Sequence, residues 1–241
     1  MKNLKILILL FLVNVNLLAQ NTTTGKVTYK YNLNEQSFGE IKNQEIVEKF
    51  KSSLNRSRDK INYLLTFNEK ESSYKIIKFL IPDNEKFMEY ATLITGGTEE
   101  YYTNIVTKKR LKKIDFIGDK FIISSSIDKK WELTQESKKI GKYFCYKAKL
   151  KKSNNVKEAK IKLPEIEAWY CPKIPFRFGP KGYGDLPGLI LELTVGPISY
   201  KATKIELNPK EEIDIIKPRN GKLISEKEFD NLLTRINKRK S

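Results

Sequence analysis

Glu165, Glu167, Asp185 and Glu192 are the carboxylates nearest the one long apolar block of this chain, GYGDLPGLILEL at 182–193. Two carboxylates can divide general-acid and general-base work when their environments push them apart. The spacing of these four follows no such logic, and the expected role is solvation or ion pairing. Histidine is absent, which removes Ser–His–Asp and Cys–His nucleophilic systems and imidazole metal sites. Neither a GxxxxGK[ST] phosphate cradle nor a GxGxxG turn after a strand occurs. The sequence therefore names no catalytic residue, no metal ligand and no cofactor.

The two cysteines, Cys145 and Cys171, are the remaining reactive side chains. An isolated pair in an oxidising compartment favours a disulfide. Both fall in predicted strands flanking a turn signal at Ser153-Asn154-Asn155. A tight turn there places Cys145 opposite Pro164, so a Cys145–Cys171 bridge needs a bulge or loop, which LPEIE could supply. Two separately buried thiols are the alternative.

These residues must be held by elements whose dominant period is two. Val27, Tyr29 and Tyr31 alternate with polar residues, as do Ile61, Tyr63, Leu65 and Phe67. Further short strands follow, with turns at Gly118-Asp119 and Gly196-Pro197, for about ten strands in all. Consecutive strands on short turns predict an antiparallel meander rather than strand–helix alternation. Two stretches read as amphipathic helices. QEIVEKFKSSL aligns Ile46, Val47, Phe50 and Leu54, and SEKEFDNLLTRI opens on a Ser225/Glu228 capping box. Pro218 to Leu223 reads as a linker. The expected fold is mainly β (α+β): a curved antiparallel sheet or half-barrel with one or two covering helices.

The N-terminus has the order of a secretory signal peptide: Lys2 and Lys5, an apolar run from Ile6 to Leu18, then the small Ala19. The expectation is a signal peptide at 1–19, cut near Ala19, and a single domain at 20–241 with a C-terminal helix. The run falls short of the ~20 apolar residues a membrane span needs. The net charge is +17 with only seven arginines. Base and phosphate readers favour the arginine fork, so the lysines read as a solvated surface rather than a nucleic-acid footprint. Peripheral contact with an anionic lipid surface follows from charge alone.

Within the apolar block, Leu186-Pro187-Gly188-Leu189 predicts a type II turn, with Pro187 fixing φ and Gly188 taking a positive φ. It launches a strand, Leu189 to Val195, that is apolar on both parities and so buried on both faces. The preceding WYCPKIPFRFGPKGYG is an extended aromatic and proline segment. One reading is a folding device. The other is a binding surface using Trp169, Tyr170, Phe176, Phe178, Tyr183 and Asp185, since rigid aromatics make contact area at low entropy cost.

AWYCPKIPFRFGPKGYGDLPGLILEL resembles the signature of the GLPGLI family of exported bacterial proteins, and the likeness extends through WELTQESKKIGKYFCYKA and KPRNGKLISEKEFDNLL. Asp185 stands where the hexapeptide has its first glycine, and Cys171 where members usually carry another small or polar residue. The resemblance implies export from a gram-negative cell and brings no catalytic residues. The functional expectation is a periplasmic or envelope-associated, non-catalytic binder of an apolar ligand or envelope protein. A structural or partner-docking envelope protein is the alternative, and a hydrolase using a carboxylate pair the second.

Overall fold

The computed structural model describes residues 23–34, 44–77, 86–128, 130–151 and 165–240. The expected signal peptide and the turn expected at Ser153-Asn154-Asn155 lie outside them.

Among the described residues twelve strands form one sheet. They are β1 (Thr24–Leu33), β2 (Asn62–Asn68), β3 (Glu71–Ile76), β4 (Glu100–Asn104), β5 (Lys109–Phe116), β6 (Asp119–Ser126), β7 (Trp131–Ile140), β8 (Tyr143–Leu150), β9 (Ile166–Cys171), β10 (Leu189–Val195), β11 (Ile198–Leu207) and β12 (Lys222–Ser225). Their spatial order is β12-β6-β5-β4-β3-β2-β1-β11-β10-β9-β8-β7. Two antiparallel meanders thus flank β1, which pairs with β2 on one side and β11 on the other. This is the mainly-β meander with covering helices that the period-two pattern predicts. Among the described residues three α-helices accompany it: α1 (Gln44–Ser57), α2 (Lys86–Ile94) and α3 (Glu226–Lys240).

Three details differ from expectation. β7 and α2 are elements the apolar pattern does not announce. The linker expected at Pro218 to Leu223 ends in β12, which pairs parallel with β6, Lys222 opposite Phe121. A four-residue strand carries too little local signal to be read, and its pairing is long-range.

The core follows from alternation. Val27, Tyr29 and Tyr31 point to the same face as Tyr63, Leu65 and Phe67, and all six are buried. Tyr29 lies opposite Tyr63, and Tyr31 opposite Tyr200. The tyrosines do more than fill space. The last carbonyls of a helix lack intrahelical partners, and the Tyr31 hydroxyl donates to Leu54 O of α1 at 2.6 Å. Tyr63 donates to Thr95 Oγ1 at 2.5 Å and Tyr200 to Thr95 O at 2.7 Å, just past α2. Tyrosine in these strands therefore fixes where both helices stop.

At the other end of the sheet, α3 sets Phe229 against Phe116 and Phe121, with ring centres 5.4 and 5.9 Å apart. Its expected capping box is formed: the Glu228 N–H donates to Ser225 Oγ, and the Ser225 N–H donates to Glu228 Oε2 at 2.7 Å. Ser225→Ala should cost about 1 kcal/mol, read as a lower urea midpoint at unchanged slope. A loss below about 0.2 kcal/mol would show that the cap does not hold the helix.

Candidate functional site

The chain between β9 and β10 forms the site. Ile174, Phe176 and Phe178 alternate with Pro175 and Arg177, and the three apolar side chains point inward and are buried. Phe176 and Phe178 pack on Phe67, with ring centres 4.6 and 6.2 Å away. The segment is laid alongside the start of β10: the Leu189 N–H donates to Ile174 O at 2.9 Å and the Ile190 N–H to Phe178 O at 3.0 Å. It then doubles back, with Phe178 bridged to Gly184 and the Asp185 N–H on Arg177 O.

The turn at Pro187-Gly188 is not type II. The Gly188 N–H bonds Leu186 O at 2.8 Å, a three-residue turn centred on Pro187,. Gly188 does take a positive φ, +148°, and a Cβ there would stand 2.3 Å from Cys171 O. Glycine is thus required both by the backbone angle and by close approach. The strand it launches is buried on both faces, as expected. Leu189 and Leu191 enter the main core, and Ile190 and Leu193 a second cluster with Ala148 and Ala168. A bulge between Ile190 and Glu192 shifts the parity that allows this,.

Folding the aromatics inward leaves the prolines outside. Pro172, Pro175, Pro187 and Gly188, with Arg177 and Asp185, line an open cleft of about 460 Å³. Arg177 Nη2 donates to Asp185 Oδ1 in an ion pair along it, the arginine more than half exposed. Asp185 has a φ of 66°. That left-handed conformation costs glycine nothing and aspartate little.

A half-buried clasp secures the doubled-back loop from beneath. Lys181, at its tip, reaches Glu99 with Nζ 2.6 Å from Oε2, while Lys112 Nζ lies 2.5 Å from Oε1. The Tyr101 hydroxyl also donates to Glu99 at 2.6 Å. Burial pushes the Glu99 carboxyl up, but the two lysines outweigh it and hold its pKa at about 2. The Lys181 ammonium sits against the rings of Tyr101 and Tyr200, and burial moves its pKa down despite Glu99.

The six residues expected to form one binding surface are spread over four environments. Phe176 and Phe178 belong to the core. Trp169 is half-buried between Lys138 and Lys147, 4.2 and 5.8 Å from its ring centre. Tyr170 and Tyr183 lie in the second cluster, where Tyr183 meets Trp131. Only Asp185 lines the cleft. Among the carboxylates near the apolar block, Glu167 pairs with Lys147 and Lys149, Glu192 with Lys138, and Asp185 with Arg177. Cys145 and Cys171 are free thiols, both buried.

Pro172, Pro175 and Arg177 in the cleft, and Glu99, Lys112 and Lys181 in the clasp, were not legible as functional groups. Arg177 carried one available signal, as one of seven arginines in a lysine-dominated chain. Among the described residues no cluster of acidic or cysteine side chains could hold a metal ion, and no helix is long and apolar enough to cross a membrane.

A family described as "Protein of unknown function (Porph_ging)" matches residues 151–192, a stretch that contains every residue lining the cleft. No curated protein matches the chain. Among solved structures, PNGF-II in a P21 space group is similar with a TM-score of 0.52 at 14% identity, over 87% of this chain and 33% of that one. PNGF-II in a C2 space group gives the same TM-score and identity, over 88% and 32%. The chain spans about a third of the length of these structures, and at this identity the likeness is one of fold.

Proposed function

We propose that this chain is an exported, non-catalytic binding module of a bacterial envelope, which docks an acidic extended segment of a partner protein in the proline cleft. The observation that carries this reading is the division of labour in residues 172–188. The aromatic side chains are spent on the core, and three prolines with one exposed arginine are left facing solvent over about 460 Å³. Prolines hold the cleft's shape before anything binds, which lowers the entropy cost of association. The net charge of +17 steers acidic partners toward the chain,.

An apolar ligand inside the curved sheet is less well supported. Small molecules favour enclosed, mostly apolar pockets, and the core face of the sheet carries packed tyrosine and phenylalanine rings. A carboxylate-pair hydrolase is also disfavoured, because Glu167, Asp185 and Glu192 are spent on ion pairs. The likeness to PNGF-II brings a fold and no activity.

Site-specific photo-crosslinking in the cells of origin tests the reading. A photoreactive residue at Lys173, beside the cleft, should give one discrete protein adduct, and one at Ile117, on the β5–β6 turn, should give none. Arg177→Glu should reduce the adduct at least about tenfold, because the charge meeting the partner is reversed. The Arg177–Asp185 pair is exposed enough that this variant should fold. Equal labelling from both positions, or labelling that survives Arg177→Glu, would overturn the proposal.

A further inference from the structure

The two thiols have a relation to each other that the cleft does not use. β8 and β9 are antiparallel, with Tyr146 opposite Tyr170 and Lys147 opposite Trp169. One further step of that register sets Cys145 opposite Cys171. Both are fully buried in the same core cluster, on the face opposite Tyr146 and Tyr170. The Cys145 thiol donates to Tyr143 O at 3.8 Å, on its own strand. Directly opposed residues in an antiparallel pair have Cβ atoms ~4.5–5.5 Å apart, and a disulfide needs ~3.5–4.5 Å. A small approach of the two strands spans that difference. The chain has only two cysteines, and they meet across one strand pair.

We propose that Cys145 and Cys171 form an intramolecular cross-strand disulfide when the protein meets a disulfide oxidant. Its position gives it a role. Cys171 O accepts the Ile174 N–H at 3.1 Å and abuts Gly188, and Pro172 begins the cleft wall. The bond would therefore pin the root of the 172–188 segment to β8 and stiffen the floor of the cleft.

The chemistry is thiol–disulfide exchange. One cysteine, deprotonated, attacks a sulfur of a small-molecule or protein disulfide and expels one thiol, leaving a mixed disulfide. The second cysteine gives up its proton, attacks the first cysteine's sulfur, and expels the other thiol. Two protons and two electrons pass to the oxidant, which leaves as two thiols. Burial, reinforced by the neighbouring Cys171, pushes the Cys145 thiol up to about 12. The folded dithiol is thus a slow nucleophile, and closure belongs to folding or to local opening of the strands.

The full chain, unfolded and reduced, is refolded with oxidised or with reduced glutathione, then alkylated in denaturant and mapped without reduction. Oxidative refolding should give a monomer about 2 Da lighter with neither cysteine alkylated. It should also give a linked Cys145–Cys171 peptide and a Tm higher by roughly 5–10 °C. Cys145→Ser and Cys171→Ser should each leave the other thiol open to alkylation or to a single glutathione adduct. Two alkylated thiols after oxidative refolding, a separate glutathione on each, or disulfide-linked dimers would overturn the proposal. The mapping needs no partner, so its result stands independently of what the cleft binds.

Discussion

Gly188→Val should lower stability by at least about 3 kcal/mol, and we expect little folded protein from it. A β-branched residue at positive φ is a steric outlier costing roughly 1–3 kcal/mol. The added Cβ would also fall 2.3 Å from Cys171 O and 2.8 Å from Pro172 N, both backbone atoms that no rotamer change can move. Asp185→Gly, three residues earlier, should stay within about 1 kcal/mol of wild type. It relieves the left-handed backbone at 66° while giving up a solvent-exposed ion pair with Arg177. Urea denaturation of the purified variants measures the order. If Gly188→Val unfolds at the wild-type midpoint, the close packing of Gly188 on Cys171 is wrong.

The second large effect is expected at Glu99. Its side chain and that of Lys181 are 17% and 15% exposed, and Glu99→Ala would leave the buried ammonium without its nearest counter-charge. Breaking such a pair from one side typically costs about 3–5 kcal/mol. The same carboxylate sets an acid limit. Its pKa falls from 4.5 when unperturbed to about 2 in the folded chain. A depressed carboxylate pKa contributes stability that is complete above 4.5 and is lost as the pH falls through about 2. Each unit of that difference is worth about 1.4 kcal/mol. The two partners pull in opposite directions, since burying Lys181 costs free energy, so the net contribution is below the full Glu99 shift. Two lysines and the Tyr101 hydroxyl hold the Glu99 carboxylate in its charged form. Wild type should lose stability between pH 4.5 and 2 more steeply than Glu99→Gln, with the two curves converging at the acid end. Parallel curves across that window would remove Glu99 from the account.

The period-two runs of β1 and β2 could be read directly, because one buried face forces alternation and tyrosine and valine mark it. Helix α3 was legible because its capping chemistry lies within four residues of sequence. Other features needed the third dimension. Helix α2, KFMEYATLI, is short, and its end is fixed by tyrosines from β2 and β11. β12 is four residues whose partner, β6, lies about a hundred residues earlier. The positive φ at Gly188 was predictable from Pro-Gly, but the three-residue turn was not, since it depends on the segment meeting Cys171. The aromatic residues of 169–183 were read as one surface because rigid rings suit binding. Alternation along 174–178 instead turns Phe176 and Phe178 inward and leaves Pro175 and Arg177 outside. The cleft is the underside of that pattern, visible only once the chain doubles back.

Residue-resolved hydrogen exchange on the full chain tests the central claim most directly, that residues 172–188 are folded into the core as a fixed surface. The amides of Asp185, Leu189 and Ile190 donate to Arg177, Ile174 and Phe178. They should exchange as slowly as the central amides of β1, with the protection of a core element. Exchange of these three amides within the dead time, while β1 stays protected, would show a loose loop and would remove the preformed cleft on which the proposed function rests.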